Sequence, residues 1–224
     1  MKLIHTDIDG VVIIEPRLFD DARGYFYESF NERELCEALG LELRFVQDNQ
    51  SRSREGVVRG LHYQVAPFAQ TKLVRVVRGE ILDVAVDLRR GSPTLLRHVA
   101  VRLSEDNHRQ LLIPRGFAHG FVVLRGDAIV EYKCDNYYAP EAERTIAYND
   151  PDIAIDWGIE RGRVIVSDRD ANATQPANAE LFDYIERCAA DTLYHSLEQM
   201  RNIVLRAVRV KAAIVEADER ERGL

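Results

Sequence analysis

The densest grouping of chemically capable side chains in the chain is Arg59-Gly60-Leu61-His62-Tyr63-Gln64. A histidine can take up or release a proton near neutral pH, and an arginine can grip a phosphate with a forked pair of hydrogen bonds. In a flat strand Arg59 and His62 would face opposite sides, because they are three positions apart. Gly60 between them can support a bulge that turns both inward. Taken alone, the pattern more often belongs to a histidine satisfied within a strand. Lys72 opens the apolar strand Leu73-Val74-Arg75-Val76. At an edge its ammonium would only reach water. Pointing inward with Val74 and Val76, it would become a fixed positive charge able to stabilise an oxyanion that forms during reaction. Tyr132 shares a face with Val130 and Cys134 and points inward with them. Its hydroxyl then either satisfies a core hydrogen bond or, in a wet cavity opposite a histidine, donates a proton.

Other segments offer contacts rather than chemistry. From Phe19 to Phe30 aromatic residues, Phe26 among them, interleave with Arg23 and Glu28. That pattern fits an ordinary edge strand, or a platform on which a base stacks while charged groups address its polar edges. Gln47-Asp48-Asn49-Gln50 carries the uncharged donors and acceptors that read a nucleobase or ribose, and equally those of a turn. A metal site is not expected. Two residues after His62 stands Gln64, a poor replacement for imidazole, and His119 would be one distant ligand.

The elements that must hold these residues are mostly strands. Val84, Val86 and Leu88 alternate with Ala85 and Asp87, Val99, Val101 and Leu103 with Ala100 and Arg102, and the run Ile129–Cys134 alternates again. Turn residues punctuate them at Arg78-Gly79-Glu80, Arg90-Gly91-Ser92-Pro93, Pro114-Arg115-Gly116 and Arg125-Gly126-Asp127. Such spacing predicts an antiparallel sandwich or barrel. One helix is expected early, capped by Asn31, running through Leu35 and Leu39 and closed by Gly40. The small, polar stretch 171–178 reads as a linker. Beyond it, 179–224 reads as a helical extension whose seam runs from Leu193 through Met200 and Val204 to Ile214. That helix would pack on its own subunit or pair between subunits.

Composition bounds the setting. The chain has 224 residues, 46% of them apolar, which is enough for a core. A formal charge of −7 argues against a nucleic-acid partner. The apolar runs Gly10–Ile14 and Gly120–Leu124 are far too short to span a bilayer, and Asp7 and Asp9 disqualify the start as a secretion signal. Cys36, Cys134 and Cys188 are odd in number and widely spaced, so a reducing cytoplasm is expected.

Eight segments in order complete the pattern. They are Gly24-Tyr25-Phe26-Tyr27-Glu28-Ser29-Phe30, Val46-Gln47-Asp48-Asn49, Arg59–Gln64, Lys72–Val76, Ile113–Phe121, Tyr132-Lys133, Tyr137–Arg144 and Asn149–Ile153. Together, over about residues 10 to 170, they resemble the dTDP-4-dehydrorhamnose 3,5-epimerase family. The resemblance implies a mainly β, cupin-type antiparallel jelly roll over 1–170, usually a homodimer whose N-terminal strands cross to the partner. It implies a nucleotide-sugar substrate, dTDP-4-dehydro-6-deoxy-glucose, inverted at C3 and C5 without metal or other cofactor. His62 would be the base, Tyr132 the acid and Lys72 the partner of the enolate oxygen. Asp170, in Ser167-Asp168-Arg169-Asp170, would orient His62, although Arg169 stands where the family carries lysine. Substrate contacts would come from Arg23, Phe26, Glu28, Gln47, Asn49, Arg59, His119, Glu143 and Arg169, with Tyr138 packing on the base. Two rival readings stand beside this one. The chain would be an epimerase acting at a single carbon or on another nucleotide-linked 4-keto sugar, or a non-catalytic nucleotide-sugar binder.

Overall fold

The computed structural model describes residues 1–184 as chiefly antiparallel strands interrupted early by one helix. The chain lays down β1 (Lys2–His5), β2 (Val12–Glu15), a hairpin of β3 (Phe19–Asp21) and β4 (Gly24–Phe26), and helix α1 (Glu32–Leu39). Then follow β5 (Gln47–Ser53), β6 (Val58–Gln64), β7 (Lys72–Asp87), β8 (Arg89–Arg90), β9 (His98–Ser104), β10 (Gln110–Ile113) and β11 (Phe117–Cys134). β12 (Glu143–Thr145), the short helix α2 (Asp168–Ala171) and β13 (Phe182–Asp183) complete the described chain.

Two strands are long enough to belong to two layers. The start of β7, Lys72–Arg75, pairs with β10, and its later part, Glu80–Val86, pairs with β9. β11 pairs with β6 through its first half and with β5 through Ala128–Cys134. The hydrogen-bonded sheet, ordered β1-β2-β10-β7-β11-β6-β12, thereby closes into a two-layered jelly roll. The sequence places turns at Arg78-Gly79-Glu80 and Arg125-Gly126-Asp127, yet neither segment ends a strand. Both bend one, and the β7/β11 register slips between Val123 and Val130 as they do. Gly79 has φ +80°, and a Cβ there would stand 2.8 Å from the carbonyl oxygen of Asp127. The two bends are pressed together, so the ladder resumes on either side.

Alternation decides what the layers enclose. Val74, Val76, Ile81, Ala85, Phe117, Phe121 and Val130 form the inner core. Lys72, Asp83, His119 and Tyr132 share the parity of these residues on β7 and β11, so the pleat aims polar groups into an apolar interior. The opposite face of one layer, with Val12, Ile14, Leu73 and Leu112, is covered by Leu35 of α1. Asn31 caps that helix by accepting from the Glu34 N–H at 3.1 Å, and Gly40 closes it at φ +66°, as the sequence predicts. The outer face of the other layer, with Val58, Leu61, Val84, Val86 and Val122, lies under Ile146, Ile153 and Trp157.

The stretch 171–178 differs from the expected linker. Ala171 ends α2, Thr174 bridges Ile146, and Pro176 is buried in a short 3-10 turn. Small polar residues suit it to backbone pairing: the Ala147 N–H donates to the Thr174 carbonyl at 2.9 Å, and the Thr174 N–H to that of Thr145 at 3.1 Å. Residues 179–184 also belong to the body, with Leu181 and Phe182 packed on the outer core and β13 running beside β8. The rest of the expected helical extension, including the seam from Leu193 to Ile214, lies outside the described residues. Among the described residues, no helix is long and apolar enough to cross a membrane.

Candidate active site

The site begins with an irregularity in β6. His62 stands opposite His119 on β11 and Arg59 opposite Phe121, so Gly60 and Leu61 together face the single residue Gly120. Directly opposed residues of an antiparallel pair share a face. His119 and Phe121 point inward, and Arg59 and His62 therefore do so too. This is the bulge that the Arg59-Gly60-Leu61-His62 spacing calls for. Only glycine fits at its crest: φ at Gly60 is +123°, and a Cβ would come within 2.5 Å of the Gly120 Cα.

Behind His62 lies Asp170 on α2. Its Oδ1 is 2.6 Å from His62 Nε2, with the aspartate side chain 5% exposed and the histidine 29%. Ser167 caps the turn that presents it, accepting from the Asp170 N–H at 3.1 Å. Burial pushes the Asp170 carboxyl up, but the hydrogen bond and charge of His62, with help from Ser167 and the Gly60 N–H, outweigh that and hold it below the usual aspartate value. The carboxylate is thus ionised where an imidazolium would need it.

Across the interior stand Lys72 and Tyr132. The Lys72 ammonium lies 5.9 Å from the centre of the Tyr132 ring, and the His119 ring packs edge-on against that same ring at 6.5 Å. Burial pulls the Lys72 ammonium below the ordinary lysine value, and the negative charges of Asp83 and Glu143 only partly oppose it. Burial raises the Tyr132 phenol, and Glu143 adds to this while Arg59 counters it. The two shifts have opposite consequences. The phenol keeps its proton, while the lysine gives up its own more readily than a solvated one. His119 is itself buried, with Nε2 2.7 Å from Asp83 Oδ1.

A polar rim surrounds this interior. Tyr138 donates to Glu143 at 2.6 Å, and Arg169 holds the same carboxylate oxygen at 2.8 Å and reaches Thr145 at 3.1 Å. Gln47 donates to Asn49 and accepts from the Tyr138 N–H, both at 3.0 Å. Arg59 donates from Nε to Ser53 at 2.8 Å, and among the described residues no carboxylate pairs with it. Gln64 is committed elsewhere, donating to the Phe68 and Tyr137 carbonyls and accepting from the Ala139 N–H.

The structure brings together His62, Asp170, Lys72, Tyr132 and His119, with Arg59, Gln47, Asn49, Tyr138, Glu143 and Arg169 near them. Arg23, Phe26 and Glu28 are not among them. Arg23 pairs with Asp21 at 2.5 Å with its side chain 90% exposed, Phe26 is 70% exposed beside Phe19, and Glu28 accepts from Asn31. Asp83 is the residue that the reading of the sequence passed over. Its signal was an aspartate between Ile81 and Ala85 in their parity, the parity of the apolar core.

An imidazole backed by a carboxylate, a phenol, an enclosed lysine and an arginine with no carboxylate partner among the described residues suit removal of a proton beside a carbonyl in an anionic ligand. The comparisons agree with that chemistry. A family model described as dTDP-4-dehydrorhamnose 3,5-epimerase matches residues 5–178. A dTDP-4-dehydrorhamnose 3,5-epimerase of Shigella flexneri is 50% identical over 182 residues, covering 81% of this chain and 99% of that protein. The solved dTDP-6-deoxy-D-glucose-3,5-epimerase of Legionella pneumophila, in complex with dTDP-4-keto-L-rhamnose, superposes with a TM-score of 0.79 at 50% identity, covering 82% of this chain and 98% of that one. A 3'-monoepimerase of Streptomyces bikiniensis in complex with dTDP-quinovose is more distant, at 32% identity and a TM-score of 0.72, covering 88% of this chain and 96% of its own. With the family model spanning most of the chain and half of the residues shared with such relatives, the chain belongs to the dTDP-4-dehydrorhamnose 3,5-epimerase family.

Proposed function

We infer that this chain is an isomerase that inverts C3 and C5 of dTDP-4-dehydro-6-deoxy-glucose to give dTDP-4-dehydro-L-rhamnose. The observation that carries the reading is the meeting of His62, backed by Asp170 at 2.6 Å, with Lys72 and Tyr132 around one interior. Both target carbons flank the C4 ketone. Removing either proton leaves an enolate whose charge rests on the C4 oxygen, so one set of groups serves both steps. His62 takes the proton from carbon, and Asp170 stabilises the imidazolium that results. The Lys72 ammonium neutralises the enolate oxygen in a poorly solvated place, where a fixed charge acts most strongly. Tyr132 returns a proton from the opposite face, which inverts the carbon. Arg59 meets the diphosphate, and Tyr138, Gln47 and Asn49 address the nucleoside, with Arg169 and Glu143 bracing that rim.

The enzyme acts as a homodimer in which Arg23, Phe26 and Glu28 complete the partner's site. Supporting this, the β3–β4 hairpin pairs, among the described residues, only with itself and carries Phe19, Tyr25 and Phe26 at 51%, 58% and 70% exposure. Cys36 and Cys134 are free thiols, as suits a reducing cytoplasm.

The test is conversion of the 4-keto sugar nucleotide in D2O, followed by NMR. Deuterium at both C3 and C5 in an L-configured product is expected. Deuterium at one carbon would instead make the chain a single-carbon epimerase, a reading favoured by its likeness to the 3'-monoepimerase. Binding without any exchange would make it a non-catalytic binder.

A further inference from the structure

We propose that Asp83 is a positioning residue of this site, one that fixes the proton of His119 on Nε2 and so makes Nδ1 an acceptor for a hydroxyl of the hexose. The inference rests on the nucleotide-sugar reading above and adds to it a residue whose other effect there is its negative charge toward Lys72. Asp83 is fully buried on β7 among apolar neighbours, diagonally across the ladder from His119. Its Oδ1 lies 2.7 Å from His119 Nε2, while its Oδ2 is buried without a hydrogen-bond partner. A buried carboxylate oxygen without a partner opposes folding. An apolar side chain between Ile81 and Ala85 would avoid the expense, so packing gives no reason for an aspartate here.

The chemistry of the pair is directional. An aspartate carboxylate at neutral pH only accepts hydrogen bonds, so the proton between the two groups belongs to the imidazole. Burial holds His119 below the ordinary histidine value; Asp83 opposes this with its charge and its hydrogen bond, and Lys72 on β7 and His62 on β6 deepen the lowering. The geometry puts the ring's proton on Nε2, facing the carboxylate, and burial disfavours a second one on Nδ1. Nδ1 is left with a lone pair, and no described residue bonds it. A diphosphate at neutral pH has no proton to offer such a nitrogen. A sugar hydroxyl does. His119 accordingly belongs with the groups that read the hexose beside Tyr132, against whose ring it packs.

Two measurements on the full chain test this. In the wild-type protein, two-bond 15N–1H correlation spectra report the tautomer of His119, with the signal assigned by its loss in His119→Asn. The expected spectrum at neutral pH is that of a neutral ring protonated on Nε2. A proton on Nδ1, or on both nitrogens, would overturn the proposal, and this arm does not depend on any Asp83 variant folding. In the second arm, Asp83→Asn should lower turnover of the 4-keto sugar nucleotide by about tenfold or more, the scale on which misoriented supporting groups act. Its affinity for dTDP alone should stay within about twofold of wild type, as expected if a hydrogen bond to the sugar, worth about a factor of ten, is the only one disturbed. Equal loss of dTDP affinity and turnover, or unchanged turnover, would contradict it. A wild-type protein that neither exchanges deuterium nor turns over would instead defeat the epimerase reading itself, so the two failures look different.

Discussion

A side chain that takes a proton from carbon must hold it long enough for another group to act, and a nearby negative charge makes that possible. Asp170 supplies it to His62 at 2.6 Å. Lys72 and Tyr132 illustrate the complementary case, in which one enclosure shifts two groups in opposite directions, because burial disfavours whichever form is charged. The ammonium falls below the ordinary lysine value and the phenol rises above the ordinary tyrosine value. The sign for catalysis follows directly. In the proposed division of roles activity needs Lys72 charged and Tyr132 protonated, and burial moves the loss of the lysine's proton to lower pH and that of the phenol to higher pH. The alkaline decline of kcat/KM should therefore lie below the range of a solvated lysine. In Lys72→Arg, whatever activity survives should persist to higher pH, since a guanidinium keeps its charge throughout. Profiles of kcat/KM against pH for both proteins decide this; an unmoved decline would assign it to another group.

At the scale of elements, the β6 bulge converts a three-residue spacing into a shared face, and one glycine makes it possible. Gly60→Ala places a Cβ 2.5 Å from Gly120 at a φ of +123°. The expected result is a lower melting temperature, reflecting strain of about 1–3 kcal/mol or more, together with loss of activity as His62 and Arg59 part company. Asn31→Ala provides the contrast. It removes the α1 cap at 3.1 Å together with the hydrogen bonds to Glu28, should cost about 0.5–2 kcal/mol, and should act on KM more than on kcat, because α1 covers the outer face of the sheet, away from His62, while Glu28 belongs to the proposed substrate contacts. Thermal unfolding and turnover of the two variants measure both effects. The bulge was legible in the sequence because Gly60 sat between two residues that needed the same side. So was α1, from Asn31 and Gly40. The bends at Gly79 and Gly126 were misread as strand ends, since a local turn signal cannot reveal that two such segments press on each other across the sheet. Asp83 was passed over for a related reason: a charge on the core face becomes meaningful only when the residue diagonally across the ladder is seen to be a histidine. The stretch 171–178 looked like a linker because composition records small polar side chains and not the partners of their backbones.

At the scale of the molecule, the site exists because β7 and β11 each contribute to both layers. Lys72 and Tyr132 come from the parts paired with β10 and β5, Asp83 and His119 from the parts paired with β9 and β6. In the proposed dimer the exposed β3–β4 hairpin would extend the same logic to two chains. If Arg23 serves the partner's site, a mixture of His62→Asn and Arg23→Ala proteins, dissociated and reassociated, should regain activity that neither has alone. A random two-fold assembly allows about a quarter of the wild-type rate, one intact site in each mixed dimer. Absence of any regain in a mixture shown to be dimeric would place Arg23 in its own subunit's site or outside both.

The relation of the two layers is tested most directly by deuterium exchange in Tyr132→Phe, read by NMR in D2O beside wild type and His62→Asn. If His62 and Tyr132 flank one bound sugar from opposite faces, Tyr132→Phe should still wash deuterium into the substrate with retained configuration while inversion slows. His62→Asn should lose exchange and inversion together, by about a hundredfold or more. Complete loss of exchange in Tyr132→Phe would put the phenol in the proton-removal step and contradict the division of roles between these two residues.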